Sequence, residues 1–135
     1  MSDKRTQAAA YLDEATTTLD GVKILFEHRS GGYAQVVKNA YDALEQALSA
    51  GIAHKGEDIP QYHNGKVTRF FGLYEHDSLE QKSLKWLSKR ETARYVDFEA
   101  GSLSIPEENF DESDAEEILE DAEATIESVT EQIEE

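Results

Sequence analysis

Apolar residues recur along this chain in alternating steps of three and four. Ala8, Leu12, Ala15, Leu19, Val22 and Phe26 form the first series, the stripe of an amphipathic helix. Ser2 or Asp3 can cap its start, and Gly31-Gly32 ends it. A second stripe, Tyr33, Val37, Ala40, Leu44 and Ala47 or Leu48, predicts a helix over 33–50 with Gly51 as its C-cap. The following loop, IAHKGEDIPQYHNG, carries the breakers Gly56, Pro60 and Gly65. A short third helix is expected over 66–74, with Val67, Phe70, Phe71 and Tyr74 on one side. Ser78, with Gln81 three residues on, reads as a capping box that opens a fourth helix, fading near Phe98. The linker around Gly101 and Pro106 includes a strand-like stretch at 103–105. Ser113 or Asp114 then caps a fifth helix with the seam Leu119, Ala122, Ile126, Val129 and Ile133. The expected architecture is all-α: one domain over 1–135, an up-and-down bundle of four to five helices with a long acidic C-terminal helix.

Charge refines that picture. The formal net charge is -16, and 107–135 hold fourteen Asp or Glu and no Lys or Arg. A disordered acidic arm has no reason to keep an apolar seam over two heptads, so the segment is read as a helix with an acidic back. Its seam closes either on its own bundle or on a second subunit. A charge of this size keeps proteins dissolved at high salt, so a halophilic source is expected. There is no cysteine, and the stretch MSDKRTQAAAYLDE lacks an apolar run of signal-peptide length. No segment approaches the roughly 20 apolar residues of a membrane span. A cytoplasmic location without membrane attachment follows as an expectation. The histidines have no metal-ligand spacing, and the glycines no phosphate-loop spacing, so neither a metal site nor a cofactor is expected.

Positive charge collects in KSLKWLSKRETAR, which holds Lys82, Lys85, Lys89, Arg90 and Arg94. At about 100° per residue from Leu79, the three lysines fall together at about 240–300°, a solvated edge. Arg90 and Arg94 fall near about 20° and 60°, inside the apolar arc of Trp86, Leu87 and Ala93. An arginine on a core-facing arc needs a carboxylate partner, such as Asp42, Glu45 or Asp97, or an external anion. Its planar fork suits bidentate phosphate recognition, so a phosphate or RNA groove at a subunit seam is the functional alternative.

The same residues carry a family resemblance. The stretch from Arg90 to Tyr95, RETARY, resembles the R-x-x-A-D-Y segment in one branch of the HEPN domain superfamily. Asn39-Ala40-Tyr41-Asp42-Ala43 is similar to that branch's R-A-Y-Y-A core. Tyr62-His63-Asn64-Gly65 followed by Phe70-Phe71-Gly72 resembles its K-T-H-x-G-x-x-x-x-F segment. The matching motifs occur in the same order over 33–98. The resemblance implies a five-helix bundle, a homodimer with a groove at its interface, and often metal-independent ribonuclease activity. It also implies a minimal nucleotidyltransferase as toxin–antitoxin partner, and RNA or a nucleotide as ligand. Arg90, Arg94, Tyr95, His63 and Tyr41 are then the groove residues, with Arg90 and Tyr95 as the catalytic candidates.

One departure bears on activity. The superfamily's signature places a histidine four to six residues after the arginine, and none occurs from Glu91 to Asp97. Where the family keeps Asp between Ala and Tyr, this chain has Arg94. Metal-free cleavage by a 2′-hydroxyl needs a group that gains and loses a proton near neutral pH, which histidine supplies and arginine cannot. The expected function is therefore a partner or regulatory module of a nucleotidyltransferase, without an intact ribonuclease signature. The alternatives are a ribonuclease with an atypical Arg90 site, and a structural homodimer or nucleotide-binding module. Arg69 and His76 formally match the Arg-to-His spacing, but upstream of the usual place. His63 is expected to organise the loop before the third helix.

Overall fold

The computed structural model describes residues 3–28, 32–94, 97–99 and 102–134. It is an all-α bundle: α1 (Asp3–His28), α2 (Tyr33–His54), α3 (His63–Leu73), α4 (Asp77–Arg94), a short α5 (Pro106–Asn109) and α6 (Glu112–Glu134). A small antiparallel hairpin, β1 (Asp97–Glu99) and β2 (Ser102–Ser104), pairs Phe98 with Leu103 between α4 and α5. Phe98 thus lies in a strand and not in the tail of the fourth helix. No described helix is long and apolar enough to cross a membrane.

Helix α2 is the centre of the molecule. It touches α1, α3, α4 and α6, and its buried face is much wider than the single stripe its spacing suggested, leaving a polar strip of Gln35, Lys38, Asn39, Asp42 and Gln46 exposed or partly exposed. Val36, Val37, Ala40, Tyr41, Ala43, Leu44, Ala47, Leu48 and Ile52 are all essentially inaccessible. A helix with so wide an apolar face belongs at the centre of a bundle, and the many alanines of α2 allow its neighbours close approach.

Gly51 does not end α2. The helix runs on to His54, and Gly51 sits within it against α3. A Cβ there would lie 2.4 Å from Phe70 Cε2 and 2.9 Å from Phe70 Cδ2. Tyr74 Oη also donates to the Gly51 carbonyl at 2.8 Å. The glycine is present because another ring needs its space. The actual stop is Gly56, whose φ of +79° favours glycine, with its N–H returning to the Ala53 carbonyl at 2.8 Å.

Two caps also differ from the expected ones. At α4 the His76 ring, not Ser78, takes the free amide: Leu79 N–H donates to His76 Nδ1 at 3.3 Å. At α6 the cap is Asp111. Its Oδ1 accepts from Asp114 N–H at 2.9 Å, while Asp114 Oδ2 accepts from Asp111 N–H at 3.0 Å. This is a capping box built from two aspartates.

The seam of α6 closes on α2 and α1. Ile118, Ala122 and Val129 are fully buried, with Leu119, Ile126 and Ile133 at the margins. Asp121 is buried with them, because its Oδ2 accepts from Trp86 Nε1 at 2.8 Å. Lys82 lies 3.6 Å from Asp121 Oδ1, Lys85 pairs with Glu117, and Lys23 of α1 reaches Glu123 at 3.0 Å. The lysine edge of α4 is therefore more than a solvated face. It clamps the acidic helix, and Lys85 and Lys89 lie 4.7 and 5.4 Å from the Trp86 ring centroid.

Candidate functional site: a recess between the start of α3 and α4

The inner face of α4 is a buried series of Leu79, Ser83, Trp86, Arg90 and Ala93, in steps of four and three. Arg90 thus occupies a place in that seam where an apolar residue is ordinarily found. The residue is 9% exposed. Its Nε is buried without a hydrogen bond and lies 3.9 Å from Asp42 Oδ1, beyond hydrogen-bonding range. The expected internal carboxylate is Asp42, and the pairing is loose. Burying a guanidinium with an unmade hydrogen bond is costly.

Arg90 borders a recess of about 330 Å³, lined also by Tyr62, His63, Asn64, Leu87 and Ser88. That volume is at the lower end of ligand-sized pockets. One wall is α4. The other is the N-terminal end of α3, which the preceding loop brings across the surface of α2. Tyr62 is the N-cap residue in extended conformation, and no side chain caps the helix or places an acid in its first turn. The first amides of α3 therefore begin beside the recess without a cap from their own helix.

His63 is held from below. Its Nδ1 lies 2.7 Å from Glu45 Oε2 and 2.9 Å from Oε1. Glu45 is buried in α2, and Lys66 Nζ donates to its Oε1 at 3.1 Å. A buried carboxylate thus receives two partners from the first turns of α3. His63 does organise this loop-to-helix junction, and the junction is also a wall of the recess. With Nδ1 committed to Glu45, Nε2 is the ring nitrogen that can meet a ligand.

Tyr41 lies beneath the recess and does not line it. It is fully buried, edge-on to the His63 ring at 6.5 Å between centroids. Burial is the main reason that its hydroxyl holds its proton far above the ordinary tyrosine range, and the Glu45 charge adds to this. Tyr41 therefore cannot touch a ligand or act as a base from this position. Arg94 closes α4, and its side chain lies outside the described residues, as does the whole of Tyr95. Of the five groove candidates, the structure brings Arg90 and His63 to one recess and places Tyr41 under it.

The sequence reading passed over Glu45 and Asn64 as site residues and missed the exposed ring of Tyr62. Glu45 stands in a stripe of alanines and leucines, where a lone acid signals burial only if its partners are known. Tyr62 is 75% exposed, an unusual place for a large ring. Arg69 pairs with Glu57 and His76 caps α4, so each has a structural task. Among the described residues, no group of three or more His, Asp or Glu is placed to hold a metal ion.

A comparison with curated protein sequences gave no match. The HEPN domain family, by contrast, matches residues 8–133, from the first helical stripe to the end of the acidic helix. That span includes every element of the bundle and both walls of the recess, and the chain belongs to the HEPN domain family.

Proposed function

We propose that this HEPN-family chain is an RNA- or nucleotide-directed module that binds a phosphate in the α3–α4 recess. It serves as partner or regulator of a nucleotidyltransferase rather than as a nuclease of the usual signature. The observation that carries the ligand class is Arg90: a guanidinium nine-tenths buried, with an unmade hydrogen bond, at the edge of a small recess. Arg90 lines the recess beside its loose partner Asp42, and a guanidinium fork suits bidentate contact with a phosphate. The absence of histidine from Glu91 to Asp97 supports the non-nucleolytic part. The charge of -16 makes contact with nucleic acid local to the recess.

The test is titration of the full chain with inorganic phosphate and with a short RNA, monitored by calorimetry, for wild type and Arg90→Lys. Wild type is expected to bind both, and the variant to lose at least tenfold, because lysine keeps the charge but not the fork. Equal affinity in the variant would sink the assignment. For the partner, co-expression with a neighbouring nucleotidyltransferase is expected to give a complex that survives purification. Recovery of the two proteins separately would count against it. A homodimer is part of the same proposal, and sedimentation at several salt concentrations tests it.

A second reading has one specific observation in its favour. His63 brings to the recess the imidazole that α4 lacks, fixed by Glu45 in an orientation suited to proton transfer. In that reading the Nε2 of His63 takes the 2′-hydroxyl proton of RNA. The 2′-oxygen then attacks the adjacent phosphorus, the bond to the 5′-oxygen breaks, and that oxygen takes a proton from water. Metal-free incubation with RNA separates the readings: cleavage abolished by His63→Ala supports the nuclease, and intact RNA supports the binding module.

A further inference from the structure

The contact between α1 and α6 carries charge of a kind that its apolar seam does not call for. A cleft of about 120 Å³ lies between the two helices, lined by Asp20 and Lys23 of α1, by Glu123 and Glu127 of α6, and by the apolar Leu19 and Ile126. Three carboxylates thus share the cleft with one ammonium. Lys23 donates to Glu123 at 3.0 Å, and both side chains are partly in solvent, so this pair stabilises little. Neither Asp20 nor Glu127 makes an ion pair with another described residue.

The helix itself adds to the repulsion. Glu120, Glu123, Glu127, Glu131 and Glu134 follow one another in steps of three or four, and like charges at that spacing destabilise a helix. The last turn of α6 holds no base, and an acid there opposes the helix dipole. The first half of α6 is held differently. Asp121 accepts from the buried Trp86 indole, and Lys82 and Lys85 bring positive charge to Asp121 and Glu117. Past Glu123 the docking rests on Ile126, Val129 and Ile133, of which only Val129 is fully buried.

We infer that α6 beyond Glu123 is a salt-dependent clasp on α1, loosened at low ionic strength and closed where counter-ions screen its carboxylates. The Debye length is about 10 Å at 0.1 M salt and about 3 Å at 1 M. At the shorter length the acids of α6 no longer sense Asp20 or one another, and the burial of Val129 and Leu19 has no charge to screen. Repulsions outnumber the one attraction in the cleft, so screening favours the closed form. The clasp makes the packing of the C-terminal helix answer to ionic strength while α2 holds the rest of the bundle. It is independent of any ligand in the α3–α4 recess.

The test follows hydrogen exchange of the full chain at ~0.1 M and ~2 M NaCl, with the amides of α2 as internal reference. Amides of α6 after Glu123, and those of α1 around Leu19, are expected to exchange about tenfold faster relative to α2 in the dilute salt. Glu127→Gln and Asp20→Asn each remove one charge from the cleft and should shrink that difference about threefold. Glu75→Gln, the same change in the α3–α4 turn, should leave it unaltered. All three acids are exposed, so the variants keep the fold.

A smaller salt response in either cleft variant, with Glu75→Gln as wild type, supports the inference. Equal protection of α6 at the two salts, or less protection in concentrated salt, overturns it. So does a salt response that α2 shares in full, which marks unfolding of the whole bundle. A response that both cleft variants leave at its wild-type size, or that Glu75→Gln reduces equally, also overturns it, since it marks a general effect of salt on apolar burial or net charge.

Discussion

Alanine at Gly51 and alanine at Gly21 are the same chemical change inside two helices, and the structure gives them opposite signs. In α1, Gly21 has open space where a Cβ would be. Gly21→Ala there gains helix propensity and loses no contact, a stabilisation of roughly 0.5–1 kcal/mol. In α2 the same propensity gain meets Phe70 Cε2 at 2.4 Å and Tyr74 Cε2 at 3.3 Å. Phe70 is buried and stacks on Tyr74 at 4.6 Å between centroids, and Tyr74 is tied to the Gly51 carbonyl itself. Both rings are buried, so either they or α3 must shift to admit the new methyl. Overpacking of this kind costs about 1–3 kcal/mol, and the closeness of the contact argues for the upper part. After the propensity gain, Gly51→Ala should lose about 1–2 kcal/mol.

For 135 residues the unfolding entropy is roughly 0.28 kcal/mol/K. Calorimetric melting should then fall by about 4–7 °C for Gly51→Ala and rise by about 2–4 °C for Gly21→Ala. A shift of α3 moves His63 and Tyr62 with it, so the α2 variant should also bind phosphate more weakly, although it touches no ligand. A Gly51→Ala protein that melts at or above wild type would refute the reasoning, since it would mean that the α2–α3 contact yields without cost.

Three further perturbations follow from particular contacts. Asp121→Ala leaves the buried Trp86 indole N–H without its acceptor and should cost about 1–3 kcal/mol in a denaturant titration, with less lost in Asp121→Asn; an unchanged midpoint for both would argue against that bond. Asp111→Ala removes one half of the α6 capping box and should cost about 0.5–2 kcal/mol, read as a lower melting temperature. The hydroxyl of Tyr41 holds its proton above its unfolded value near 10, chiefly through burial and secondarily through Glu45. The folded state therefore keeps the proton where the unfolded state releases it, so this contribution is complete below about pH 10 and declines as pH rises above it. Tyr41→Phe should be close to neutral at pH 7 and should flatten the fall in stability above pH 10; an equally steep fall would place the cause elsewhere.

The elements were legible because each long helix keeps its own apolar spacing. The acidic C-terminal segment is the clearest case: its seam alone identified a helix where composition suggested an arm. The ends were less legible. Gly51 looked like a stop because a glycine near the end of a stripe usually is one, but nothing local in the sequence reveals that Phe70 needs its space. The caps at His76 and Asp111 were missed for a similar reason, since serine is the commoner choice and stood within two residues of each.

The candidate site divides along the same line. The helical wheel turned Arg90 inward from local periodicity, and the buried guanidinium agrees with that. The company it keeps was not readable. His63 and Glu45 are 18 residues apart and meet only because α3 docks on α2. Tyr62 looked like one loop residue among several until the recess placed it at the lip.

Taken alone, the sequence determined an all-helical chain, an acidic helix with one apolar seam, and an arginine facing inward. These depend on periodicity along one helix, and a helix has the same periodicity wherever it packs. Only the tertiary structure decided that α2 is the central helix with four neighbours, that Lys82 and Lys85 of α4 pair with acids of α6, and that the start of α3 faces α4 across a recess beside Arg90. Those depend on distances between helices, and such distances are set by which side chains fill the space between them.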